Sequence, residues 1–476
     1  MESNHLIDRK ILFPFILLTS LFFAWAVPNN LTDTMLAAFK RIMSMSDSKT
    51  AWIQVVCYLL GYGCCALPGA MFIKKYSYKA GVMMGLSFYA LGTMMFYPAK
   101  LALEINTDFS YYMYLIAIFV LFAGLSVLET STNSYVLALG PENTAARRLN
   151  FAQAFNPFGA ITGVVVSQVF ILSQLNGMTA AERTQLPAEE LMAIQSTELN
   201  AVTTAYMVLG FIMLILLFTI RCTKMPNLGE VGGKVDFLPT FRRLIKNKNY
   251  VCGVIAQFFY VGAQIAVWSF VIRYAMQQMD FDGIISALGD NASQEAITEA
   301  LRNSEPVASA FYSICDLVGL DDLLPRTSEQ AGATYYILSL VLFVVMRFIC
   351  TGLMKRIKAH RLLTFFAGLA VACSLGAMLT TGSFGLYCLM GISGCMSLMF
   401  PTIYSFGLRG LGDDTKIGGA FMVMAIAGAA ILTQIQGIVS DSTGSIMTAY
   451  IVPAVAFAMI VLYSHFVARK QEEAME

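Results

Sequence analysis

GAMFIKKYSYKAGVMMG at residues 69–85 and GLMKRIKAHRLLTFFAG at residues 352–368 decide how this chain is read. Each is a basic turn held between two apolar runs, and each joins the second and third runs of its own half of the chain. A run of ~20 apolar residues crosses a bilayer as a helix. Such runs recur about twelve times, approximately at 11–38, 51–73, 80–98, 112–138, 149–173, 200–220, 250–278, 332–353, 362–381, 385–408, 417–438 and 446–467. This faint internal echo supports a duplication, and the expected fold is an all-α membrane protein with twelve transmembrane helices in two six-helix halves.

Composition points the same way. The 476 residues are 57% hydrophobic and only 13% charged, with a mean hydropathy of +0.66, where a soluble chain carries roughly a quarter charged residues. A net charge of +1 leaves no basic field for nucleic acid. The ten cysteines show no CxxC or His-containing metal spacing and read as small core residues. Arg9 and Lys10 before an apolar run imitate a signal peptide, but the run is too long, so it is expected to stay as the first span. His5, His360 and His465 all fall outside mid-span positions, which argues against histidine catalysis.

Basic residues set the orientation. Summed over loops, 22 Lys and Arg fall on the side of the N-terminus and 7 on the other, so both termini are expected in the cytoplasm. The expected organisation is a first half at 1–220, a basic cytoplasmic linker at 221–249 and a second half at 250–476. Within that half, 279–331 forms a long outer loop with ten acidic positions, where SQEAITEAL (293–301) reads as a short amphipathic helix. Parallel repeats of this kind hold substrate at their interface near the bilayer midplane.

Two carboxylates stand in apolar spans, where an ionised side chain costs at least ~2.5–3.5 kcal/mol and therefore pairs, titrates or lines a path. Asp33 closes the motif Pro28, Asn29, Asn30, Leu31, Thr32, Asp33; Asn29 and Asp33 are four apart and share a face. It reads as a proton-titrating acid, the alternative being a side chain snorkelling to the outer interface. Glu129 lies deeper, with Asn133 one turn further on. It reads as a carboxylate that burial allows to load and unload a proton; an ion pair with Arg273 or Arg347 is the competing reading.

Amides and aromatics mark the sugar-binding candidates. Gln153 and Asn156, three apart on span five, offer both donors and acceptors to hydroxyls, or else glue helices together. Gly159 and Gly163 beyond them form a GxxxG, read as close helix packing. On span seven, Gln257, Tyr260, Gln264 and Trp268 rise along one stripe, suited to a pyranose ring face or to aromatic packing. Tyr404, Gln434 and Gln436 are further candidate liners. The expected substrate-facing set is Asn30, Glu129, Asn133, Gln153, Asn156, Gln257, Tyr260, Gln264 and Trp268, with Asp33 and Glu129 coupling protons. No catalytic triad, metal cluster or phosphate loop stands beside them, so an enzyme is not expected.

AWAVPNNLTD (24–33), KKYSYKAG (74–81), LETSTN (128–133), LGPE (139–142) and RLNFAQAFNPFGAI (148–161) resemble the fucose permeases, proton symporters of the major facilitator superfamily. So do AQFFYVGAQIAVWSFVIRYA (256–275) and FPTIYSFGLRGLGDDTKIGGAFMVM (400–424). The resemblance implies the major facilitator fold and import of L-fucose or a similar monosaccharide with protons as coupling ion, without other cofactor. It implies that Asp33 and Glu129 match the coupling acids, and that Gln153 and Asn156 match a sugar-facing pair. A monomer in the bacterial inner membrane, with the lipid bilayer as its partner, is the corresponding expectation. Glucose/galactose carriers of the same family, sodium-coupled forms included, are similar through the first half and are the alternative. Ser134 and Tyr135, where the family usually has Pro and Phe, and the outer-loop insertion depart from the pattern.

Overall fold

Backbone groups in hydrocarbon must find their hydrogen bonds within the segment that carries them, and the apolar runs here do so as helices. The computed structural model describes residues 7, 11–43, 52–53, 55–171, 183, 186–228, 237–289, 293–319, 324–325 and 328–473, except for the side chains of a few helical positions that include 32–38. No strand occurs among the described residues. Among the described residues, eleven helices are long and apolar enough to cross a membrane.

In the first half these are α1 (Leu12–Ile42), a π-helical stretch Val55–Cys64 running into α2 (Cys65–Lys75), α3 (Tyr78–Met94) and α4 (Thr107–Ala138). The expected fifth span is divided into α5 (Ala145–Gln153) and α6 (Asn156–Val166), which is why it is absent from the eleven continuous ones. Pro157 explains the division: it has no N–H for the carbonyl four residues back, that of Gln153. The sixth span is α7 (Ala188–Cys222). The linker contains α8 (Phe237–Lys246), and α9 (Lys248–Met279) opens the second half.

The long loop at 279–331 carries three helices among its described residues: α10 (Phe281–Ala287), α11 (Gln294–Arg302) and α12 (Pro306–Val318). The expected amphipathic helix is α11, started by Ser293, whose hydroxyl accepts from Ala296 N at 3.2 Å. Glu305 anchors α12. Its buried carboxylate accepts from Val307 N at 2.9 Å and Ala308 N at 3.1 Å, and from the hydroxyls of Tyr335 and Tyr387. The remaining spans are α13 (Ser328–Leu353), α14 (Ala359–Leu379), α15 (Ser383–Met396) with α16 (Met399–Leu408), α17 (Thr415–Met424) with α18 (Gly428–Thr443), and α19 (Ile451–Tyr463).

By contact the chain forms two units, Met1–Val254 with Tyr404–Ala427, and Ile255–Ile403 with Gly428–Glu476. Residues 404–427 thus pack with the first unit although the repeat places them in the second half. Chain continuity defines the repeat, whereas small side chains define the contact. Gly418 and Gly419 let α17 lie close: Tyr250 donates to Gly418 O at 2.8 Å, and the Ser134 and Tyr404 hydroxyls meet at 3.2 Å.

The GxxxG of α6 packs against α1. A Cβ on Gly159 would stand 2.1 Å from Phe23 O, and one on Gly163 2.3 Å from Val27 O. Neither backbone carbonyl can step aside. Gly163→Ala is therefore expected to cost ~1–3 kcal/mol, the usual range for overpacking, seen as a lower melting temperature of the detergent-solubilised protein.

Candidate functional site

Glu129 sits in α4 and is half-buried, while its helix neighbours Leu128, Thr130 and Thr132 are buried. The Tyr62 hydroxyl and the Asn133 amide lie within interaction reach of its carboxylate. Tyr62 is itself buried and also reaches Asn29 of α1. Asn133 Oδ1 accepts from Gln153 Nε2 at 2.8 Å; its buried Nδ2 makes no hydrogen bond and lies on the side chain that interacts with the carboxylate. Asn29, Tyr62, Glu129, Asn133 and Gln153 therefore form one polar string through the apolar interior of the first unit.

Local structure sets each member. Gln153 is the last residue of α5, and its side-chain amide reaches α4 at Asn133. Asn133 follows Glu129 by one turn of α4 and so shares its face. Tyr62 comes from the π-helical stretch, whose wider turn departs from 3.6-residue spacing and is common at functional sites.

Arg148, fully buried, fastens the end of α4 that carries this string. Its Nε donates to Val136 O at 2.8 Å, its Nη2 to Leu137 O at 2.5 Å and Gly140 O at 3.2 Å, and its Nη1 to Thr144 Oγ1 at 2.9 Å and Pro141 O at 3.3 Å. A guanidinium fork serves carbonyls that a helix C-terminus leaves without partners.

The other first-unit candidates are half-buried and bonded to backbone. Asn30 Nδ2 donates to Ala26 O at 2.9 Å, and Asn156 Nδ2 to Phe22 O at 3.3 Å, tying α6 to α1. Asp33 lies in α1 one turn beyond Asn29; its side chain is outside the described residues.

In the second unit the α9 stripe divides. Tyr260 is fully buried, donates to Met396 O at 3.1 Å and meets the Phe400 ring edge-on at 6.2 Å. Gln257 is buried, and neither of its amide atoms has a hydrogen-bond partner, a state that is rare without a ligand or water. Gln264 and Trp268 are half-buried; the indole donates to Ser393 Oγ at 3.1 Å and is flanked by Phe343 and Tyr336. Tyr404 is buried in the first unit, and Gln434 is exposed. Arg347 donates to Ser397 O at 2.5 Å, covering the carbonyl at the α15–α16 break, and stacks over Phe343; Arg273 stacks over Phe270.

Sequence reasoning named Asn29 only as sharing a face with Asp33 and passed over Tyr62. The available signal was a tyrosine beside glycines in an apolar span, at 58–64 (YLLGYGC). Chemically, the string offers a carboxylate that can be protonated inside a low-dielectric interior, bordered by amides that donate and accept. A sugar hydroxyl and a proton are what such a set can handle.

A helical membrane protein with duplicated halves, a broken fifth span and one acid among amides is a secondary transporter in its architecture. The chain belongs to the major facilitator superfamily, whose family model matches residues 12–416; it is a multi-pass membrane transporter and not an enzyme. It is 35% identical to the L-fucose-proton symporter of Haemophilus influenzae, with 96% of this chain and 97% of that one covered. The glucose/galactose transporter of Brucella abortus is 29% identical over 94% of this chain and 92% of its own. Among solved structures, that of the Escherichia coli fucose:proton symporter matches with a TM-score of 0.79 at 35% identity, covering 96% of this chain and 99% of that one.

Proposed function

We propose that this protein imports L-fucose together with protons by alternating access, from a bacterial inner membrane in which both termini face the cytoplasm, and that it works as a monomer. The single observation that carries the reading is Glu129, a half-buried carboxylate set among Tyr62, Asn133 and Gln153 inside an apolar unit. The higher identity to fucose–proton symporters than to glucose/galactose carriers supports the choice of sugar.

A charge at that depth resists movement, so the loaded carrier reorients only once the acid is neutral. Sugar bound by the neighbouring amides keeps the protonated form in place until the site opens inward, where the proton leaves. Asp33 supplies the second coupling group, one turn from Asn29 on the same helix.

Asp33→Asn is expected to lose pH-driven accumulation of radiolabelled L-fucose in proteoliposomes while keeping sugar exchange. If the variant still concentrates sugar against a gradient, Asp33 does not couple. A panel of competing monosaccharides in the same assay reads out substrate: displacement by D-glucose or D-galactose at concentrations where L-fucose fails would transfer the site to the glucose/galactose class.

A further inference from the structure

The linker helix α8 takes no part in the proposed transport, and it is strongly two-faced. One face seats it on the first unit. Thr240 and Leu244 are buried, Lys74 Nζ donates to Thr240 Oγ1 at 3.2 Å, and Arg243 forms an ion pair with Asp414 at 2.7 Å. Phe241 packs on Phe421 with ring centroids 5.6 Å apart.

These anchors fix its depth. Lys74 is in the last turn of α2, Asp414 is the residue before α17, and α9 begins at Lys248. The helix therefore lies across the ends of three spans on a single face of the membrane, at the level of lipid headgroups.

The opposite face is open. Leu238, Arg242, Ile245 and Lys246, bordered by the half-buried Phe237 and Phe241 at the edge of the seated face, line a shallow groove of ≈ 450 Å³ along the helix. Leu238 and Ile245 are 60% and 54% exposed, and Arg242 and Lys246 are exposed one turn apart. No acidic residue occurs in α8. Exposed apolar side chains beside two cations at headgroup depth match an anionic phospholipid: acyl chain against Leu238 and Ile245, phosphate between Arg242 and Lys246. Interfacial amphipathic helices with basic polar faces bind membranes in this way.

We propose that the outer stripe of α8 is a docking site for an anionic phospholipid, through which lipid charge holds the linker against the bilayer. The helix is already fastened by Arg243 and Thr240, so the lipid adds a second, headgroup-dependent tether.

The test uses the intact protein in detergent micelles titrated with phosphatidylglycerol or with phosphatidylcholine, bound lipid being counted by native mass spectrometry. The wild type should retain phosphatidylglycerol in preference to phosphatidylcholine. Arg242→Gln with Lys246→Gln should weaken phosphatidylglycerol retention by roughly twenty-fivefold, about fivefold for each charge removed near a surface. Arg242→Lys alone should keep it. Leu238→Ser with Ile245→Ser should lower retention of both lipids equally, since only the acyl contact is lost. Both pairs are exposed side chains, and an unchanged melting temperature verifies that the fold is intact. Equal phosphatidylglycerol retention by the doubly neutralised variant and the wild type would overturn the proposal. So would displacement of the lipid by inorganic phosphate or by an acidic peptide at matched concentration, which would assign the stripe to a free anion or to a protein partner.

Discussion

Glu129→Gln is expected to reduce concentrative L-fucose uptake to simple equilibration. Glutamine imitates the neutral acid permanently, so the carrier keeps cycling with sugar but no longer requires or releases a proton. With one proton per sugar, one pH unit supports about tenfold accumulation, because it corresponds to ~1.36 kcal/mol. A potential of 100 mV adds ~2.3 kcal/mol, or roughly fiftyfold. Proteoliposomes given both gradients should thus separate wild type from variant by a few hundredfold in the ratio of internal to external sugar. Counterflow at saturating sugar should persist, because Gln can still donate to and accept from Asn133 and Tyr62, the neighbours that Glu129 has now. Gradient-driven accumulation at the wild-type ratio would remove Glu129 from the coupling step. Loss of counterflow together with accumulation would show that the carboxylate binds sugar and leave coupling to Asp33.

Arg148→Met should be the most damaging single change to stability. The guanidinium has its donors on Val136 O, Leu137 O, Gly140 O and Pro141 O, and it is fully buried. Methionine fills most of the volume but leaves those carbonyls without a donor, at ~1–3 kcal/mol for each one stranded away from water. A loss of at least ~3 kcal/mol is expected, measured as thermal unfolding of the solubilised protein. Arg148→Lys should recover only part of it, since an ammonium group cannot reach both ends of the fork. The effect should extend to transport by the folded fraction, because the same turn of α4 aims Asn133 at Gln153. If both variants melt with the wild type, the carbonyls of the α4 terminus have another source of donors.

Much of the fold was legible in hydropathy. A helix between Thr107 and Ala138, or between Lys248 and Met279, announces itself by length and composition, and Ser293 before QEAITEALR announces a capped one. The third helix of the long loop, Pro306–Val318, had its own signal in Glu305 followed by proline, an acidic cap before a residue suited to a first helical turn. The full burial of Tyr260 was not legible. Its place on the stripe with Gln264 and Trp268 is a fact of spacing, while its hydroxyl is bonded to Met396 O of a different helix. Tyr62 was hidden for a related reason: the π-helical turn moves it off the 3.6-residue pattern by which faces are judged.

From residue order alone came the membrane class, the approximate places of the apolar spans, and the two helices that carry acids; the break in the fifth span and the true start of the sixth at Ala188 did not. The former are properties of consecutive residues, and the cost of placing them in hydrocarbon is nearly additive along the chain. The tertiary structure decided who meets whom: Tyr62 and Asn133 at Glu129, Gln153 at Asn133, Arg148 at the end of α4, and α8 across three span ends. Those meetings depend on the rotation of each helix about its axis and on its breaks. Rotation and breaks follow from packing between segments far apart in sequence, where no single stretch holds the information.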